Sequence, residues 1–298
     1  MNSNLGASVI IPVLNGEKTI GESLVALKSQ LAVPGGFEIL VIDNGSTDRT
    51  VEIVRSHGIT PLHQPKRGPS AARNLGLAHA KGDVIVCIDS DCLASRRLVS
   101  SMVKAMADSE AGIGNGPIHS WQPVTPAERY ISARNSATQP TTGDDPPILY
   151  SFGMHTTFRR VEGVELGGWD EAMGSGEDMD FSFRYQKRFG KPMKFVDEAV
   201  LFHKHRSTDE ALWKQTRWHG AGFALVAERH PDIVPWSPFK TFLLYLCFFL
   251  LHAARPLIWF CRVTGLIDQE RANFESYHRL WMLHYWGGFL VEWRKRKK

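Results

Sequence analysis

The chain has 298 residues, of which 43% are hydrophobic and 22% are charged, and its formal net charge is +4. This composition is ordinary for a folded protein and excludes the highly charged, apolar-poor sequences of disordered chains. The length suits one large α/β domain with an additional segment. The chain passes almost directly into an apolar strand pattern, so we expect no signal peptide.

The four cysteines, at positions 87, 92, 247 and 261, have neither the spacing of a zinc site nor that of a disulfide framework. Cys87 lies in a predicted buried strand. We therefore expect reduced thiols and a reducing compartment.

Strand and helix patterns alternate along the first two thirds of the chain. Predicted strands cover residues 7–13, 37–42, 59–64, 84–88, 112–118, 150–160 and 194–202; predicted helices cover residues 17–30, 50–56, 70–80, 95–107 and 179–189. This alternation indicates a mostly parallel sheet with right-handed crossovers. Polar clusters around Asn15, Asp43 and Asp89 follow three of the strands, so they are expected to converge at one edge of the sheet.

The organising stretch is the apolar run 84–88, which reads as a strand buried on both faces and leads into Asp-Ser-Asp at 89–91. Side chains two positions apart in a continuing strand point to the same side, so Asp89 and Asp91 are predicted to share one partner. Two close carboxylates repel each other, and a divalent cation such as Mg²⁺ or Mn²⁺ relieves that repulsion. The alternative is a solvated loop, because Asp is common after strands.

Six short motifs follow one another between residues 11 and 205. They are Ile-Pro-Val-Leu-Asn at 11–15, Ile-Asp-Asn-Gly-Ser-Thr-Asp at 42–48, Ala-Arg-Asn at 72–74, Asp-Ser-Asp at 89–91, Gly-Glu-Asp at 176–178 and His-x-His at 203–205. In this order they resemble glycosyltransferase family 2, over roughly residues 7–206. The resemblance implies the GT-A fold, a Rossmann-like and mostly parallel sheet flanked by helices. It also implies sugar transfer from a nucleotide-sugar with inversion at the anomeric carbon.

On the nucleotide side, the resemblance implies that Pro12 and Asn15 line the cleft and that Asp43 binds the base or ribose. A carboxylate suits that role because base and ribose present N–H and O–H donors. Arg67 and Arg73 are candidates for contacts to the diphosphate. Two alternatives stay open: Asp43 as a turn residue that bonds its own backbone, and Arg73 as a solvated helix residue.

For the metal, the resemblance implies that Asp91 is a ligand and that Asp89 is either a second ligand or a ribose contact. His203 follows a strand at a position where some relatives supply an imidazole to the same ion. Imidazole suits Mn²⁺ better than Mg²⁺, so a liganding His203 predicts a preference for Mn²⁺. The alternative for His203 is a structural histidine.

An inverting transfer needs one base for the acceptor hydroxyl, and we assign this role to Asp178, with Glu177 beside it. The alternative is a carboxylate pair that only complements a helix N-terminus. The preceding Gly-Gly-Trp-Asp at 167–170 resembles the acceptor-side turn of the family, where Trp169 either offers an apolar face to a sugar or belongs to the core. Gln-x-Arg-Trp at 215–218 is one residue short of the Gln-x-x-Arg-Trp motif that processive members of the family usually carry. This difference favours an enzyme that adds a single sugar. Residues 120–149 are predicted to form a loop or lid.

The composition changes after residue 230, so we divide the chain into a catalytic domain, 1–230, and a C-terminal helical segment, 231–298. Residues 239–260 are strongly apolar, but the uncharged stretch 241–254 is short for a membrane span, and Arg-Pro at 255–256 is expected to interrupt it. Residues 277–293 are rich in Trp and Tyr, and the last five residues are basic. This composition favours peripheral contact with an anionic membrane surface; the alternatives are insertion into the membrane, and internal packing or an oligomer interface.

The leading hypothesis is a metal-dependent inverting glycosyltransferase at the cytoplasmic face of the membrane, using a UDP- or GDP-sugar and a glycan or lipid-linked acceptor. A nucleotidyltransferase of related fold is less favoured, because no Gly-rich phosphate loop follows the first strand. A non-catalytic membrane scaffold is less favoured, because such a protein is expected to lose the carboxylates of the Asp-Ser-Asp or Glu-Asp motif, and both motifs are intact. No nucleic-acid-binding motif is present.

Overall fold

The computed structural model describes residues 6–136 and 150–296. The chain forms two compact units: a first unit of Met1–Gln122 and Thr138–His205, and a helical unit of Pro123–Ala137 and Arg206–Lys298. The division therefore comes after His205 instead of after residue 230. Residues 137–149 of the predicted loop or lid lie outside the described part of the chain.

The elements follow the predicted alternation. The strands are β1 (Ala7–Val13), β2 (Phe37–Asp43), β3 (Leu62–His63), β4 (Val84–Ile88), β5 (Cys92–Ala94), β6 (Gly114–Asn115), β7 (Ile118–Ser120), β8 (His155–Arg159), β9 (Lys194–Phe195) and β10 (Leu201–His203). The helices are α1 (Ile20–Lys28), α2 (Thr50–Ser56), α3 (Pro69–His79), α4 (Leu98–Ala105), α5 (Pro126–Ser136), α6 (Arg160–Leu166), α7 (Glu177–Phe189), α8 (Asp209–Arg229), α9 (Pro238–Val263) and α10 (Gln269–Arg296).

The main sheet has seven strands in the order β3-β2-β1-β4-β8-β6-β9. β1 runs parallel to both β2 and β4, and β8 pairs antiparallel with β4. All five residues of β4 are buried, as its continuous apolar run predicts. The strand order places the ends of β1, β2 and β4 side by side, so the turns that follow them lie at one edge of the sheet.

A smaller sheet has three strands in the order β5-β10-β7. Its first strand, β5, follows β4 in the chain. β10 pairs antiparallel with β5, and Cys92 is directly opposite His203 in this register. The predicted strand 194–202 is therefore two strands of different sheets, β9 and β10. They are separated by a turn in which Ala199 N donates to Val196 O at 3.0 Å. The predicted strand 112–118 is likewise divided between β6 of the main sheet and the start of β7 of the smaller sheet, and the predicted strand 150–160 is shortened to β8.

Two apolar layers cover the main sheet. One contains residues of β1, α1 and α4, and the other contains residues of α3, β8 and α7. Trp169 belongs to the second layer: it is 2% exposed and stacks on Phe181 with ring centroids 4.5 Å apart. Its predicted alternative as a core residue is confirmed, and the sugar-facing alternative is wrong.

The helical unit is built on a close contact between α8 and α10. A Cβ atom on Gly220 would lie 1.8 Å from the carbonyl oxygen of Tyr285, and one on Gly288 would lie 2.1 Å from that of Arg217. Only glycine allows the two backbones to approach this closely. The aromatic residues of α10 pack here, with Phe289 fully buried against its neighbours. Internal packing therefore accounts for much of the aromatic segment 277–293.

α9 is a single helix of 26 residues that continues through Arg255 and Pro256. The predicted interruption at these two residues is wrong; a proline removes only one backbone donor, and apolar helices tolerate it. Within the described residues, α9 is the one helix long and apolar enough to cross a membrane, by length and composition alone. Most of its large apolar side chains are exposed, including Phe242, Phe249 and Trp259 at 62%, 71% and 63%.

Candidate active site

The acidic triplet after β4 forms a turn, and its two carboxylates have different ion-pair partners, Arg73 for Asp89 and His203 for Asp91. β4 ends at Ile88, and Cys92 N donates to Asp89 O at 3.1 Å as the chain reverses into β5. Asp89 and Asp91 are thus not on one continuing strand. The strand ends before the first of them, so strand alternation does not place the two side chains together, and a shared partner for Asp89 and Asp91 stays a prediction.

Asp89 belongs to an ion-pair group, which we call the arginine cluster: the buried Arg73 and Glu177 and the partly exposed Asp89. Arg73 Nη2 donates to Asp89 Oδ1 and Arg73 Nη1 donates to Glu177 Oε1, both at 2.9 Å. The Arg73 side chain is only 3% exposed, so the alternative of a solvated helix residue is wrong. The guanidinium spans α3, the end of β4 and the start of α7, and it offsets two carboxylates that are costly to bury alone.

A glycine makes room for this cluster. A Cβ atom on Gly153 would lie 2.6 Å from Arg73 Nη2. The same glycine donates its backbone N–H to Asp178 Oδ2 at 3.2 Å, and Met179 N donates to Asp178 Oδ1 at 2.8 Å. Asp178 is half-buried and takes part in no hydrogen bond to Arg73. The two neighbouring carboxylates are therefore held differently: Glu177 by a charge, Asp178 by backbone donors.

Burial changes the acidity of the carboxyls in the arginine cluster. Burial and, to a smaller extent, the charge of Asp178 raise the pKa of Glu177 to about 7, against the opposing charge of Arg73. Burial likewise raises the pKa of Asp89, against the opposing charge of Arg73. The raised pKa values reflect the cost of holding charged carboxylates in a dry site.

A second group, which we call the donor cluster, consists of Asp91, Cys92 and His203. Asp91 Oδ1 lies 3.5 Å from His203 Nε2 and 3.7 Å from Cys92 Sγ. All three potential ligand atoms lie within 4.8 Å of one another. Lys204 N donates to Asp91 O at 2.9 Å, which ties the turn to β10. A carboxylate, an imidazole and a thiol at these separations fit a divalent cation.

The turns after β1 and β2 are joined by hydrogen bonds. Asn15 adopts a left-handed conformation with φ of +53°, and its Oδ1 accepts from Thr47 N at 2.9 Å. Asn15 N donates to Ser46 Oγ, and Asp43 Oδ1 accepts from Ser46 N at 3.1 Å. The alternative in which Asp43 bonds its own turn is thus confirmed for one oxygen. The other, Oδ2, lies 3.5 Å from His63 Nδ1.

The other two predicted nucleotide residues border the same turns. Pro12 lies in β1 opposite Ile42 of β2, one residue before Asp43. Arg67 is exposed, and a Cβ atom on Gly45 would lie 3.3 Å from its guanidinium carbon. Arg67 thus lies against the turn that follows β2, and the structure brings it together with Asp43 and Asn15.

The comparison with known protein families decides the identity of this arrangement. The model of the family described as glycosyl transferase family 2 matches residues 8–161. The chain belongs to glycosyl transferase family 2. The matched region contains both sheets up to β8, the arginine of the arginine cluster and the Asp91–Cys92 part of the donor cluster.

Two glycosyltransferases are similar to this chain. The pre-mycofactocin glycosyltransferase of Mycobacterium tuberculosis is 28% identical over 245 residues, which cover 77% of this chain and 49% of that protein. Glycosyltransferase AglE of Haloferax volcanii is 28% identical over 219 residues, 70% of each protein. The chain therefore spans about half the length of the first of these relatives.

A solved structure shares the fold. The mannosyltransferase PcManGT from Pyrobaculum calidifontis, in complex with GDP-Man and Mn²⁺, matches with a TM-score of 0.62 and 20% identity. The match covers 98% of this chain and 88% of that one. It confirms the GT-A fold expected from the six motifs.

Two residues of this family 2 site were not identified from the sequence. Asn74 Nδ2 donates to Trp169 O at 2.8 Å and its Oδ1 accepts from Trp169 N at 2.9 Å, so it fixes the Gly-Gly-Trp turn. The Ala-Arg-Asn motif contained Asn74, but its partner lies 95 residues away. Cys92, predicted to be a core thiol, directly follows Asp91 and is paired with His203 across β5 and β10.

Proposed function

We propose that this chain transfers a sugar from a UDP- or GDP-sugar to a hydroxyl group of a glycan or lipid-linked acceptor, with inversion at the anomeric carbon. Membership of family 2 supports sugar transfer, and the GDP-Man and Mn²⁺ of the Pyrobaculum complex support this class of donor and cofactor. The observation that carries the proposal is the 3.5 Å approach of Asp91 Oδ1 to His203 Nε2 beside the arginine cluster.

Asp91 and His203 hold the divalent cation in this proposal. Their donor types suit Mn²⁺ better than Mg²⁺, because imidazole is a poor ligand for Mg²⁺. When bound, such an ion supplies Lewis-acid stabilisation of negative charge on the departing nucleotide. Asp89 is a less suitable ligand, since its Oδ1 is already engaged by Arg73 at 2.9 Å. Its remaining oxygen is available to the ribose.

Asp178 acts as the base that accepts the proton of the acceptor hydroxyl. Burial raises the pKa of Glu177 to about 7, but its side chain is 8% exposed and its Oε1 is bound to Arg73. Position decides between them, because a base must reach the proton that it removes. Backbone donors from Gly153 and Met179 orient Asp178 and leave its carboxylate half-buried. Glu177 then holds the start of α7 in place through Arg73.

The turns after β1 and β2 receive the nucleotide. Pro12 and Asn15 form one side of this region, and Asp43 Oδ2 accepts from the base or ribose. Arg67, exposed at the same turn, contacts the diphosphate. Arg73, the other predicted diphosphate contact, is instead committed to Asp89 and Glu177, so we assign it a positioning role.

α9 binds a membrane in this proposal, at the cytoplasmic face. Its 26 residues give a length of about 39 Å, enough for the hydrocarbon core of a bilayer. Exposed Phe and Trp side chains on α9 are costly in water and favourable at a lipid interface. A membrane-bound enzyme reaches lipid-linked acceptors directly.

A donor screen tests the catalytic proposal. We expect Mn²⁺-dependent hydrolysis or transfer from one nucleotide-sugar in a panel of UDP- and GDP-sugars, abolished by EDTA. NMR of the first product is expected to show the anomeric configuration opposite to that of the donor. Absence of metal-dependent binding to every nucleoside diphosphate would remove the proposal.

Flotation with anionic vesicles tests the membrane role separately. We expect the full chain to float and a variant with Phe242, Phe249 and Trp259 replaced by Ser to remain in the dense fraction. A matched control replaces the exposed Val161 and Val164 of α6, which are 63% and 55% exposed, and is expected to float normally. A wild-type chain that does not float contradicts the membrane role and leaves the donor screen unaffected.

A further inference from the structure

We propose that Cys92 is a third protein ligand of the divalent cation, so that the donor cluster binds thiophilic ions such as Zn²⁺ and Co²⁺ in preference to Mg²⁺. This inference rests on the proposed function, because it concerns the same ion that Asp91 and His203 hold. It adds a sulfur ligand and a metal preference to that site.

The pairing of β5 with β10 places the sulfur there. Cys92 and His203 are directly opposite in an antiparallel register, and side chains at such positions lie on the same face of a sheet. Asp91 immediately precedes β5, and its carbonyl accepts from Lys204 N at 2.9 Å, next to His203. Two backbone contacts therefore hold all three donors before any ion binds.

The distances match a tetrahedral ion. Bonds of about 2.3 Å to sulfur and about 2.0–2.1 Å to nitrogen and oxygen put neighbouring donor atoms about 3.3–3.6 Å apart. The observed separations are 3.5 Å from Asp91 Oδ1 to His203 Nε2 and 3.7 Å from Asp91 Oδ1 to Cys92 Sγ. The third separation lies within the 4.8 Å span of the group. Asp91, Cys92 and His203 would together hold the ion through one oxygen, one sulfur and one nitrogen ligand.

Binding exchanges one proton for the ion. In the absence of metal, the Cys92 thiol donates to Asp91 Oδ1. On binding, the sulfur–metal bond forms, the thiol proton passes to solvent, and a water ligand leaves the ion. Thiolate is a soft ligand that favours Zn²⁺ and Co²⁺, whereas Mg²⁺ prefers oxygen ligands only.

The alternative is that Cys92 is only a core thiol. It is fully buried and packs with the apolar layer of β1 and α1. Cys87 in β4 is equally buried but is not part of the three-donor group. The two cysteines therefore provide a matched pair: burial is the same, and the neighbouring ligand atoms differ.

Cobalt spectroscopy separates these possibilities without relying on activity. The full chain carries Cys87→Ala, Cys247→Ser and Cys261→Ser, so Cys92 is the one remaining thiol of the four. Addition of Co²⁺ is expected to produce an intense near-ultraviolet sulfur-to-cobalt charge-transfer band. The further change Cys92→Ser is expected to remove this band and keep the weaker visible bands of cobalt held by Asp91 and His203.

Competition titrations measure the preference of the donor cluster for Zn²⁺ over Mn²⁺ and Mg²⁺. Loss of a ligand should exceed the roughly 10–100-fold cost of losing a second-shell partner, so Cys92→Ser is expected to weaken Zn²⁺ binding by at least about 100-fold. Mn²⁺ and Mg²⁺ binding should change much less. The charge-transfer band in the chain that retains Cys92 needs no variant at this position, so the test holds even where Cys92→Ser fails to fold.

The outcomes distinguish this inference from the proposed function. Visible cobalt bands without a charge-transfer band, together with equal Zn²⁺ affinity in Cys92→Ser, overturn the sulfur ligand and leave the Asp91–His203 site standing. Absence of any cobalt binding, with or without a nucleoside diphosphate, overturns both.

Discussion

The two acidic clusters start from the same turn and differ in what neutralises them. In the arginine cluster, Asp89 and Glu177 are bound by the guanidinium of Arg73, a cation that the chain itself supplies. In the donor cluster, Asp91 faces an imidazole and a thiol, which are metal-ligand types. Carboxylates two residues apart in the sequence thus have separate roles: one is part of the framework, and the other is suited to an exchangeable ion.

This difference indicates how the site is stabilised before substrates bind. A fixed internal cation removes the repulsion that three nearby carboxylates, Asp89, Glu177 and Asp178, would otherwise cause. The bound divalent cation then has to balance only the negative charges of the donor cluster and of the nucleotide diphosphate. The predictions below test this division, from the largest expected effect to the smallest.

The largest effect is expected for Asp178→Asn, which lies beside the arginine cluster but is outside it. Loss of the base should lower kcat by about 10²–10⁴-fold, because the proton transfer contributes only in the transition state. Nucleotide binding should be nearly unchanged. Initial rates and nucleotide titration measure both quantities, with the exposed Glu165→Gln as the control. Wild-type turnover in Asp178→Asn would place the base elsewhere.

Arg73→Ala tests whether the internal cation is structural. Removing it leaves the buried Glu177 and the partly exposed Asp89 without their shared partner, which should lower the free energy of unfolding by about 3–5 kcal/mol. The control is Arg188→Ala, which breaks an exposed pair with Glu165 and should cost about 0–1 kcal/mol. Arg73→Lys should recover only part of the loss, because an ammonium lacks the planar fork that binds both carboxylates. Equal denaturant midpoints for the two alanine variants would contradict this role.

Glu177→Gln tests the cluster through its pH dependence. The pKa of Glu177 is about 7 in the folded chain, against an ordinary value of 4.5. The folded state therefore binds this proton more tightly than the unfolded state. Protonation of Glu177 therefore contributes to the free energy of unfolding, on the order of 3 kcal/mol for the metal-free chain. This contribution is fully present below pH 4.5 and is lost as the pH rises through 7.

The measurement is denaturant unfolding of both chains at several pH values from 4.5 to 8. Wild type should lose stability relative to Glu177→Gln across this interval, because Gln does not titrate. Glu165→Gln, whose parent carboxylate is exposed, should follow wild type. A constant difference between wild type and Glu177→Gln at all pH values would mean that Glu177 titrates alike in the folded and unfolded chains.

The sequence predicted the elements that depend on local patterning. The apolar run of β4, the alternation of strands and helices, and the convergence of turns after β1, β2 and β4 all follow from periodicity and from the rules of parallel sheets. The position of Arg73 did not follow, because its partner Glu177 lies 104 residues away. No local pattern reports an ion pair formed between α3 and α7.

Three segments differ from their predictions because contacts and neighbouring structure, which local sequence patterns do not show, determine their conformation. The end of β4 at Ile88 is set by the turn hydrogen bond from Cys92, and apolar patterning does not reveal it. The course of α9 through Pro256 depends on the long apolar helix around it, so a breaker residue alone was misleading. The aromatic residues of α10 resemble a membrane surface by composition, but Phe289 packs inside the helical unit.

Manganese binding to Asp91→Asn and Asp89→Asn, compared with wild type in the presence of UDP or GDP, tests the division between the two clusters most directly. If the donor cluster holds the ion, Asp91→Asn should lose Mn²⁺ binding by electron paramagnetic resonance, and Asp89→Asn should retain most of it. Retained binding in Asp91→Asn and loss in Asp89→Asn would contradict the account.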